Sequence, residues 1–194
     1  VSAKQLFDSG LYPQLARVSV NLSPRQFRDT GLLACIQEAV QVAGISMHML
    51  EFEITESVLM HNIDEAIAIL HALKALGVRL AIDDFGIGYS SLNYLKRFPI
   101  DTLKVDRSFV MDIPQDKSNM EIAAAVIAMA HKLELKVIAE GVESEAQCAF
   151  LQDNHCDFCQ GYFYGKPMPL AHWLAQAGYF PKRVNRNSEF PLSN

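Results

Sequence analysis

The sequence lacks an excess of positive charge and any long apolar run, and each absence excludes a class of protein. Its 17 Lys and Arg are outnumbered by 22 Asp and Glu, so the formal net charge is −5. Such a chain has no basic surface for non-specific nucleic-acid binding, and we expect no DNA partner. No apolar run approaches the roughly 20 residues of a membrane-spanning helix, and no signal peptide is visible. We therefore expect no membrane segment in this chain.

The sequence also lacks the residue spacing of a structural zinc site. Cys156 and Cys159 are spaced as in redox and zinc motifs, but Cys35 and Cys148 form no second close pair. The six histidines show no metal-ligand spacing either. We predict reduced, mostly buried thiols in a cytoplasmic domain.

The length and composition of the chain are sufficient for one domain. Half of the 194 residues are hydrophobic, which is enough to bury a full core. We predict a domain at residues 1–180 and a flexible, polar tail at 181–194. Because the first residue is Val1 rather than Met, we expect a piece of a longer parent protein, which can itself be anchored in a membrane.

Apolar runs alternate with helical patterns along the chain, which predicts parallel strands joined by crossover helices. Six strands are visible, and each ends in a polar residue, although buried parallel strands are normally apolar throughout. In a TIM-type β/α barrel the strand ends converge on one rim, whereas in a doubly wound sheet they lie in a row. We therefore predict an α/β fold with a TIM-type β/α barrel that is incomplete at its N-terminus, since about two of the eight strands are not visible. The polar residues at the strand ends are Asn21, Glu53, Asp83, Lys104, Glu140 and Gln160.

The helical patterns and caps divide the rest of the chain. Ser23 followed by Pro24 predicts a capped helix start. The clearest helices are predicted at residues 62–76 and 121–133, with a polar loop at 112–119 before the second of them.

Two adjacent carboxylates, Asp83 and Asp84, end the third strand. Where the backbone turns at a strand end, both side chains can reach one site, and they repel each other unless a proton or a cation lies between them. A divalent metal ion satisfies this requirement, because hard cations prefer oxygen ligands. The alternative is an N-cap aspartate beside a solvated neighbour.

Six motifs stand in the order and spacing of the EAL domain, a family of bacterial phosphodiesterases that hydrolyse cyclic di-GMP. The chain resembles this family from about residue 15 to residue 176. The first strand of the family, which carries the Glu-Ala-Leu motif, has no counterpart in this sequence. The six motifs are Asn21-Leu22-Ser23, Glu53-Ile54-Thr55-Glu56, Asp83-Asp84-Phe85-Gly86, Lys104-Val105-Asp106-Arg107-Ser108-Phe109, Glu140-Gly141-Val142-Glu143 and Gln160-Gly161-Tyr162.

The resemblance implies a site for two Mg²⁺ or Mn²⁺ ions. By this resemblance Asn21, Glu53 and Asp83 are metal ligands, and Asp83 bridges the two ions. Asp84 serves the second ion, and Glu140 contributes through the water shell of the metals. Oxygen ligands of this kind favour Mg²⁺ or Mn²⁺ over zinc.

The resemblance also implies roles for residues around the metals. Lys104 would lie beside the attacking water and act in catalysis together with Glu140 and Asp84, although a barrel lysine paired with an acid is an alternative. Gln160 and Asn21 would bind substrate. The residues implied to brace the loop up to residue 91 are Glu56, Phe85 and Gly86.

The implied activity is two-metal hydrolysis of cyclic di-GMP to linear pGpG in the cytoplasm. Without the Glu-Ala-Leu strand we expect this chain by itself to be weak or inactive. One alternative is a non-catalytic cyclic di-GMP-binding module, and another is a Schiff-base lyase that uses Lys104. Expected partners are cyclic di-GMP and either a second copy of the chain or other domains of a longer parent. For Tyr162, Phe163 and Tyr164 we expect core packing of at least two, with guanine stacking as the alternative.

Overall fold

A computed structural model describes residues 2–8, 17–88 and 92–175 of the chain. Six strands form one parallel sheet in which every strand pairs with its neighbour in sequence. This order has no switch point, so it matches part of a TIM-like barrel and excludes a doubly wound sheet. The predicted α/β class and the six strands are confirmed. They are β1 (Val18–Asn21), β2 (Leu50–Thr55), β3 (Arg79–Phe85), β4 (Thr102–Val105), β5 (Lys136–Ala139) and β6 (Phe158–Cys159).

The helices follow the strands along the chain, as the alternation in the sequence predicts. The α-helices are α1 (Ser2–Asp8), α2 (Pro24–Phe27), α3 (Leu32–Ala43), α4 (Glu56–His61), α5 (Ile63–Ala75), α6 (Leu92–Leu95), α7 (Lys117–Lys132), α8 (Glu145–Asp153) and α9 (Leu170–Ala175). Single 3₁₀ turns occur at Met47–Met49 and Arg107–Phe109. As predicted, Ser23 caps α2, where its side chain accepts a hydrogen bond from Gln26 N–H.

The predicted helix at 62–76 is confirmed as α5, but one helix was not predicted and one loop prediction needs correction. A separate helix, α4, precedes α5, and the predicted loop at 112–119 already contains the first turn of α7. That helix begins early because the Asp116 side chain accepts hydrogen bonds from Ser118 N–H and Asn119 N–H, an N-cap that the sequence analysis missed. The predicted tail at 181–194 lies outside the described residues.

The core lies where the outer face of the sheet packs against the helices. Leu80 of β3 and Leu103 of β4 are completely buried, as are Leu70 and Leu73 of α5. Three of the four cysteines are buried and Cys35 is exposed, in agreement with the prediction of mostly buried thiols. Among the described residues, no helix is long and apolar enough to cross a membrane.

An aspartate just before β4 anchors the beginning of β3. The Asp101 carboxylate accepts a hydrogen bond from Leu80 N–H at 2.9 Å and contacts Lys74 Nζ at 2.8 Å. Because Lys74 belongs to α5, this contact joins the helix to the strand that follows it.

A second aspartate makes the same arrangement just before β6. Asp157 accepts hydrogen bonds from Val137 N–H of β5 at 3.0 Å and from His131 Nε2 of α7 at 2.8 Å. Lys136 Nζ also donates to it. Burial opposes ionisation, but the hydrogen bonds from Lys136, His131 and Val137 hold the pKa of Asp157 below its usual value.

Candidate active site

A buried lysine stands at the centre of the polar residues on the sheet. Lys104 Nζ, on β4, contacts Glu53 Oε2 at 2.7 Å and Glu140 Oε1 at 2.7 Å. The same ammonium lies 3.0 Å from Asp83 Oδ1. These three carboxylates come from β2, from the residue after β5 and from β3, and the Lys104 side chain is only 3% exposed. Strands that are far apart in sequence therefore converge on one point, as the barrel prediction requires.

The two adjacent aspartates reach this point through a bulge inside β3. The pairing of β3 with β4 slips between Ile82 and Phe85, so one extra residue lies on β3. Asp84 has a φ of 54°, a left-handed conformation that is uncommon for any residue other than glycine. We expected the turn at the end of the strand, and the structure has it within the strand. As a result, ligand oxygens of Asp83, Asp84 and Glu140 all lie within 4.8 Å of one another.

The electrostatic balance of the cluster is negative. Burial lowers the proton affinity of Lys104, but Glu53 and Glu140 outweigh it and raise the pKa of Lys104 well above its usual value. The pKa of Glu140 is also raised, because burial and the charges of Asp83 and Glu53 outweigh the attraction of Lys104. Burial and Asp83 raise the pKa of Asp84 in the same way. One ammonium therefore does not neutralise the carboxylates around it.

This set of donors fits divalent metal ions. Carboxylate oxygens that converge without enough positive charge are the ligands that Mg²⁺, Mn²⁺ and Ca²⁺ prefer. Lys104 contacts one oxygen each of Glu53, Asp83 and Glu140, so these carboxylates keep further oxygens for other partners. Asp84 has only negative neighbours besides Lys104 among the groups that shift its pKa. The residues are thus suited to hold cations next to Asp84.

A fifth acid, Asp106, lies at the site and was not predicted from the sequence. Asp106 is 6% exposed, and its charge is one of those that raise the pKa of Asp84. Its side chain also accepts a hydrogen bond from Ser108 N–H at 2.8 Å, which fixes the carboxylate at the start of the 3₁₀ turn. The signal was its position two residues after Lys104, since alternate residues along a strand share a face.

A second polar layer lies two residues before the site along β2 and β4. Glu51 of β2 is 3% exposed and accepts a hydrogen bond from Thr102 Oγ1 of β4 at 3.2 Å. Arg17 Nη1 lies 3.7 Å from the same carboxylate. Burial raises the pKa of Glu51 although Arg17 and Thr102 oppose the shift. This layer was also missed, and the alternation of acid and apolar residues from Glu51 to Ile54 was its signal.

Two of the predicted residues lie at the same edge but outside the contacts of Lys104. Asn21 ends β1 and pairs in register with Glu53. Gln160 follows β6, where its N–H donates to Ala139 O at 2.8 Å. Both side chains are exposed, so among the described residues they belong to the rim of the site rather than to its buried cluster.

Glu56 holds the loop after β3. Its carboxylate is 3% exposed, and Oε2 accepts a hydrogen bond from Gly86 N–H at 3.1 Å. A Cβ atom at Gly88 would lie only 2.7 Å from Glu56 Oε1, so the loop passes close over the carboxylate. Gly86 has a φ of 102° and packs against Phe109. Phe85, the last residue of β3, is buried. The rest of the predicted loop, residues 89–91, lies outside the described residues.

The aromatic run after Gln160 differs from the expectation of core packing. Tyr162 is 58% exposed and Phe163 is 37% exposed. Only Tyr164 turns inward, where its hydroxyl lies 3.3 Å from Cys148 Sγ. The prediction that at least two of these residues pack in the core is therefore wrong.

Comparisons with known proteins agree with this geometry. A model of the EAL domain matches residues 2–167. The cyclic di-GMP phosphodiesterase NbdA of Pseudomonas aeruginosa is 54% identical over 155 residues, which is 80% of this chain and 20% of NbdA. The cyclic di-GMP phosphodiesterase PdeR of Escherichia coli is 40% identical over 153 residues, or 79% of this chain and 23% of PdeR. This chain thus spans about a fifth of the length of these relatives.

Solved structures show the same fold with ligands. The PaMucR phosphodiesterase in complex with cyclic di-GMP has a TM-score of 0.84 and 40% identity, and the match covers 89% of this chain and 69% of that one. Klebsiella pneumoniae BlrP1 with manganese and cyclic di-GMP has a TM-score of 0.73 and 30% identity, with coverage of 86% and 44%. Another BlrP1 structure contains calcium. By its motifs, its fold and these matches, the chain belongs to the EAL domain family.

Proposed function

We propose that this chain carries the active site of a metal-dependent phosphodiesterase that hydrolyses cyclic di-GMP to linear pGpG. The observation that carries the proposal is the convergence of Glu53, Asp83 and Glu140 on a single buried lysine, with the Asp84 carboxylate beside them and too little positive charge in the cluster. Hydrolysis of a phosphodiester needs positive charge at the phosphoryl group and an activated water. The names of NbdA and PdeR and the ligand of PaMucR support this substrate.

Five residues would hold two Mg²⁺ or Mn²⁺ ions. Asn21, Glu53 and Asp83 offer oxygens from three neighbouring strands, and Asp84 and Glu140 offer carboxylates on the other side of Asp83. When bound, such ions supply positive charge to the phosphoryl oxygens and lower the pKa of water towards neutrality. The conformation of Asp84 is the means by which this chain presents two consecutive carboxylates to one place.

Lys104 would orient the acids and the reacting water. With its pKa raised, Lys104 stays protonated at neutral pH and acts as a hydrogen-bond donor rather than as a base. It holds Glu53 and Glu140 at 2.7 Å, which fixes the spacing of two metal ligands. An ammonium beside the site also stabilises negative charge that develops on an attacking oxygen.

The rim residues would bind the rest of the substrate. Gln160 and Asn21 present exposed amides at the edge of the site, where they can donate to phosphate oxygens or bases. Glu56 would keep the loop that starts with Phe85 and Gly86 in place, so that Asp84 retains its orientation.

The protonated state of Lys104 also bears on the alternatives. A Schiff base requires a neutral amine, and the carboxylates around Lys104 oppose its deprotonation. The lyase alternative is therefore disfavoured. A binding module without catalysis would need neither a shared lysine nor convergent acids, so hydrolysis accounts for more of the site.

The test uses Asp83→Asn in the 194-residue chain, with Asp153→Asn, an exposed change at the end of α8, as the control. We expect Asp83→Asn to weaken Mn²⁺ binding, measured by calorimetry, and nearly to abolish Mn²⁺-dependent cleavage of cyclic di-GMP, measured by chromatography of pGpG. We expect Ca²⁺ to inhibit. If Asp83→Asn kept most of the activity and the Mn²⁺ affinity, the two-metal assignment would be wrong. The expectation that the chain by itself is weak or inactive is measured in the same assay.

We also infer a cytoplasmic setting and assembly with a second copy or with other domains. The boundary of the domain at residue 180 stays a prediction. Size-exclusion chromatography with light scattering, with and without cyclic di-GMP, measures the assembly state.

A further inference from the structure

Gln147 is a buried polar residue that joins two loops at the rim of the site. It lies in the first turn of α8 and is 4% exposed. Its Oε1 accepts hydrogen bonds from Glu143 N–H at 2.6 Å and from Ser144 N–H at 2.9 Å. Its Nε2 donates to Met111 O at 3.1 Å. Both the oxygen and the nitrogen of the carboxamide therefore form hydrogen bonds.

Helix capping explains only part of this arrangement. Ser144 and Gln147 form a capping box at the start of α8, and so do Ser23 and Gln26 at the start of α2. Gln26 is exposed, and its Oε1 bonds to Ser23 N–H at 3.1 Å and Ser23 Oγ at 2.7 Å. Gln147 forms further hydrogen bonds with Glu143 N–H and with Met111 O, and Met111 lies in the segment after β4. The capping box on α2 therefore shows what such a Ser–Gln pair does without a link to another loop, and it serves as the reference for Gln147.

The two loops that Gln147 joins each begin with residues of the site. The loop after β5 runs from Glu140 to Ser144, and the segment after β4 runs from Asp106 to Met111. Met111 N–H donates to Arg107 O at 2.9 Å, so the Met111 end is tied to the start of its own segment. Gly141 packs against Arg107, where a Cβ atom would lie 2.5 Å from Arg107 Cβ. The loops therefore touch near the site, and Gln147 joins them at their far ends.

We propose that Gln147 is a positioning residue, whose carboxamide fixes residues 140–144 against residues 106–111 and so holds the Glu140 carboxylate at its contact with Lys104. The proposal deepens the proposed function, because it assigns the support of a residue of that same site. Loss of a group that hydrogen-bonds a metal ligand directly typically changes metal affinity or activity by about 10–100-fold. Gln147 acts on Glu140 through the backbone of the loop, so we expect the lower end of that range.

The two sides of the Gln147 bridge are the carboxamide oxygen, which accepts from Glu143 and Ser144, and the nitrogen, which donates to Met111 O. Two substitutions test these two halves separately. Gln147→Glu, when ionised, keeps an acceptor for Glu143 N–H and Ser144 N–H but turns an oxygen towards Met111 O, so it breaks the link between the loops. Because a protonated carboxyl group would donate to Met111 O and restore the link, the measurements are made at pH 8. Gln147→Leu removes both halves. Gln26→Glu and Gln26→Leu make the same changes in the capping box of α2 and serve as matched controls.

The first measurement is Mn²⁺ affinity by calorimetry, at a temperature at which circular dichroism shows each variant to be folded. We expect Gln147→Glu and Gln147→Leu to weaken Mn²⁺ binding by about tenfold, and the Gln26 variants to leave it unchanged. We expect kcat to fall by a similar factor while KM for cyclic di-GMP changes little. A lower Tm for Gln147→Glu with unchanged Mn²⁺ affinity would mean that the bridge only stabilises the fold, and would overturn the proposal.

A metal-free measurement keeps this test independent of the proposed function. In ¹H–¹⁵N spectra with EDTA, we expect Gln147→Glu to shift the amide signals of residues 140–142 and 107–111. Shifts confined to residues 143–148 would overturn the positioning role. If the unmodified chain does not bind Mn²⁺, the proposed two-metal site fails, and the spectra still decide whether Gln147 positions Glu140.

Discussion

Replacement of Lys104 by methionine tests the charge balance of the cluster directly. The ammonium contacts Glu53 and Glu140 at 2.7 Å and Asp83 at 3.0 Å. Methionine has a similar shape but no charge, so Lys104→Met leaves three carboxylates facing one another in a buried site. Removal of one partner from a buried ion pair costs about 3–5 kcal/mol of unfolding free energy.

The size of the effect follows from the length of the chain. One kcal/mol shifts the Tm of a domain of this size by about 2–4 °C, so we expect Lys104→Met to lower Tm by about 6–20 °C in EDTA at neutral pH. The acids then lack their cation, and a divalent ion should replace it. Mn²⁺ at about a hundred times its Kd adds roughly 2.7 kcal/mol to the folded state. Because the variant cluster is more negative, we expect Mn²⁺ to raise its Tm by at least as much as it raises that of the unmodified chain.

The assay is a pair of thermal melts, in EDTA and in Mn²⁺, followed by circular dichroism. Lys117→Met is the control. The Lys117 side chain is 88% exposed, and its Nζ lies 3.6 Å from Glu121 Oε1 in a solvent-exposed pair. Such pairs contribute little, so its Tm should stay within a few degrees. The reasoning is wrong if Lys104→Met is no less stable than Lys117→Met in EDTA, or if Mn²⁺ fails to stabilise it.

Two further predictions concern the support of the site. Gly161→Ala should cost about 1–3 kcal/mol or more in urea unfolding, because a Cβ atom there would overlap the backbone oxygen and nitrogen of Val142. Gly165→Ala, with nothing within 4 Å of the added Cβ atom, should be nearly neutral. Asp157→Asn should cost about 1–2 kcal/mol at neutral pH, mostly through the bonds to Val137 and His131. Since the pKa of Asp157 is lowered by folding, this stability is fully present above about pH 5 and is lost as pH falls through the folded value. Urea titrations of the unmodified chain and of Asp157→Asn from pH 3 to pH 7 measure this loss. If the difference between their unfolding free energies grew at low pH, the prediction would be contradicted.

Much of the fold was predictable because each strand is a short apolar run in the sequence, with turn-forming or polar residues at both ends. Their polar ends predicted convergence on one rim, and Glu53, Asp83, Asp84, Glu140 and Lys104 do meet there. The sharing of one lysine by three acids was not predictable, since it depends on the spacing of strands that are distant in sequence.

Other features were missed because their signals are weak or not local. The left-handed turn at Asp84 is set by the pairing of β3 with β4, and aspartate itself gives little sign of it. The early start of α7 depends on a cap at Asp116, which also resembles a loop residue. The link from Gln147 to Met111 joins residues 36 positions apart, so no short motif contains both.

The two anchoring aspartates, Asp101 and Asp157, hold β3 and β5 in the same way, which makes these two strands comparable position by position. Three pairs of residues with matching places in β3 or β5 and in the preceding helix are each separated by 57 positions: Lys74 and His131, Leu80 and Val137, Asp83 and Glu140. The next positions also match, because Asp84 and Gly141 both have a positive φ, of 54° and 71°. The chain therefore uses the same backbone turn twice at this edge of the sheet, after β5 and within β3. Glycine is the ordinary occupant of such a backbone position, so Asp84 adds a carboxylate to β3 at a place where β5 has none, and the site is asymmetric for that reason.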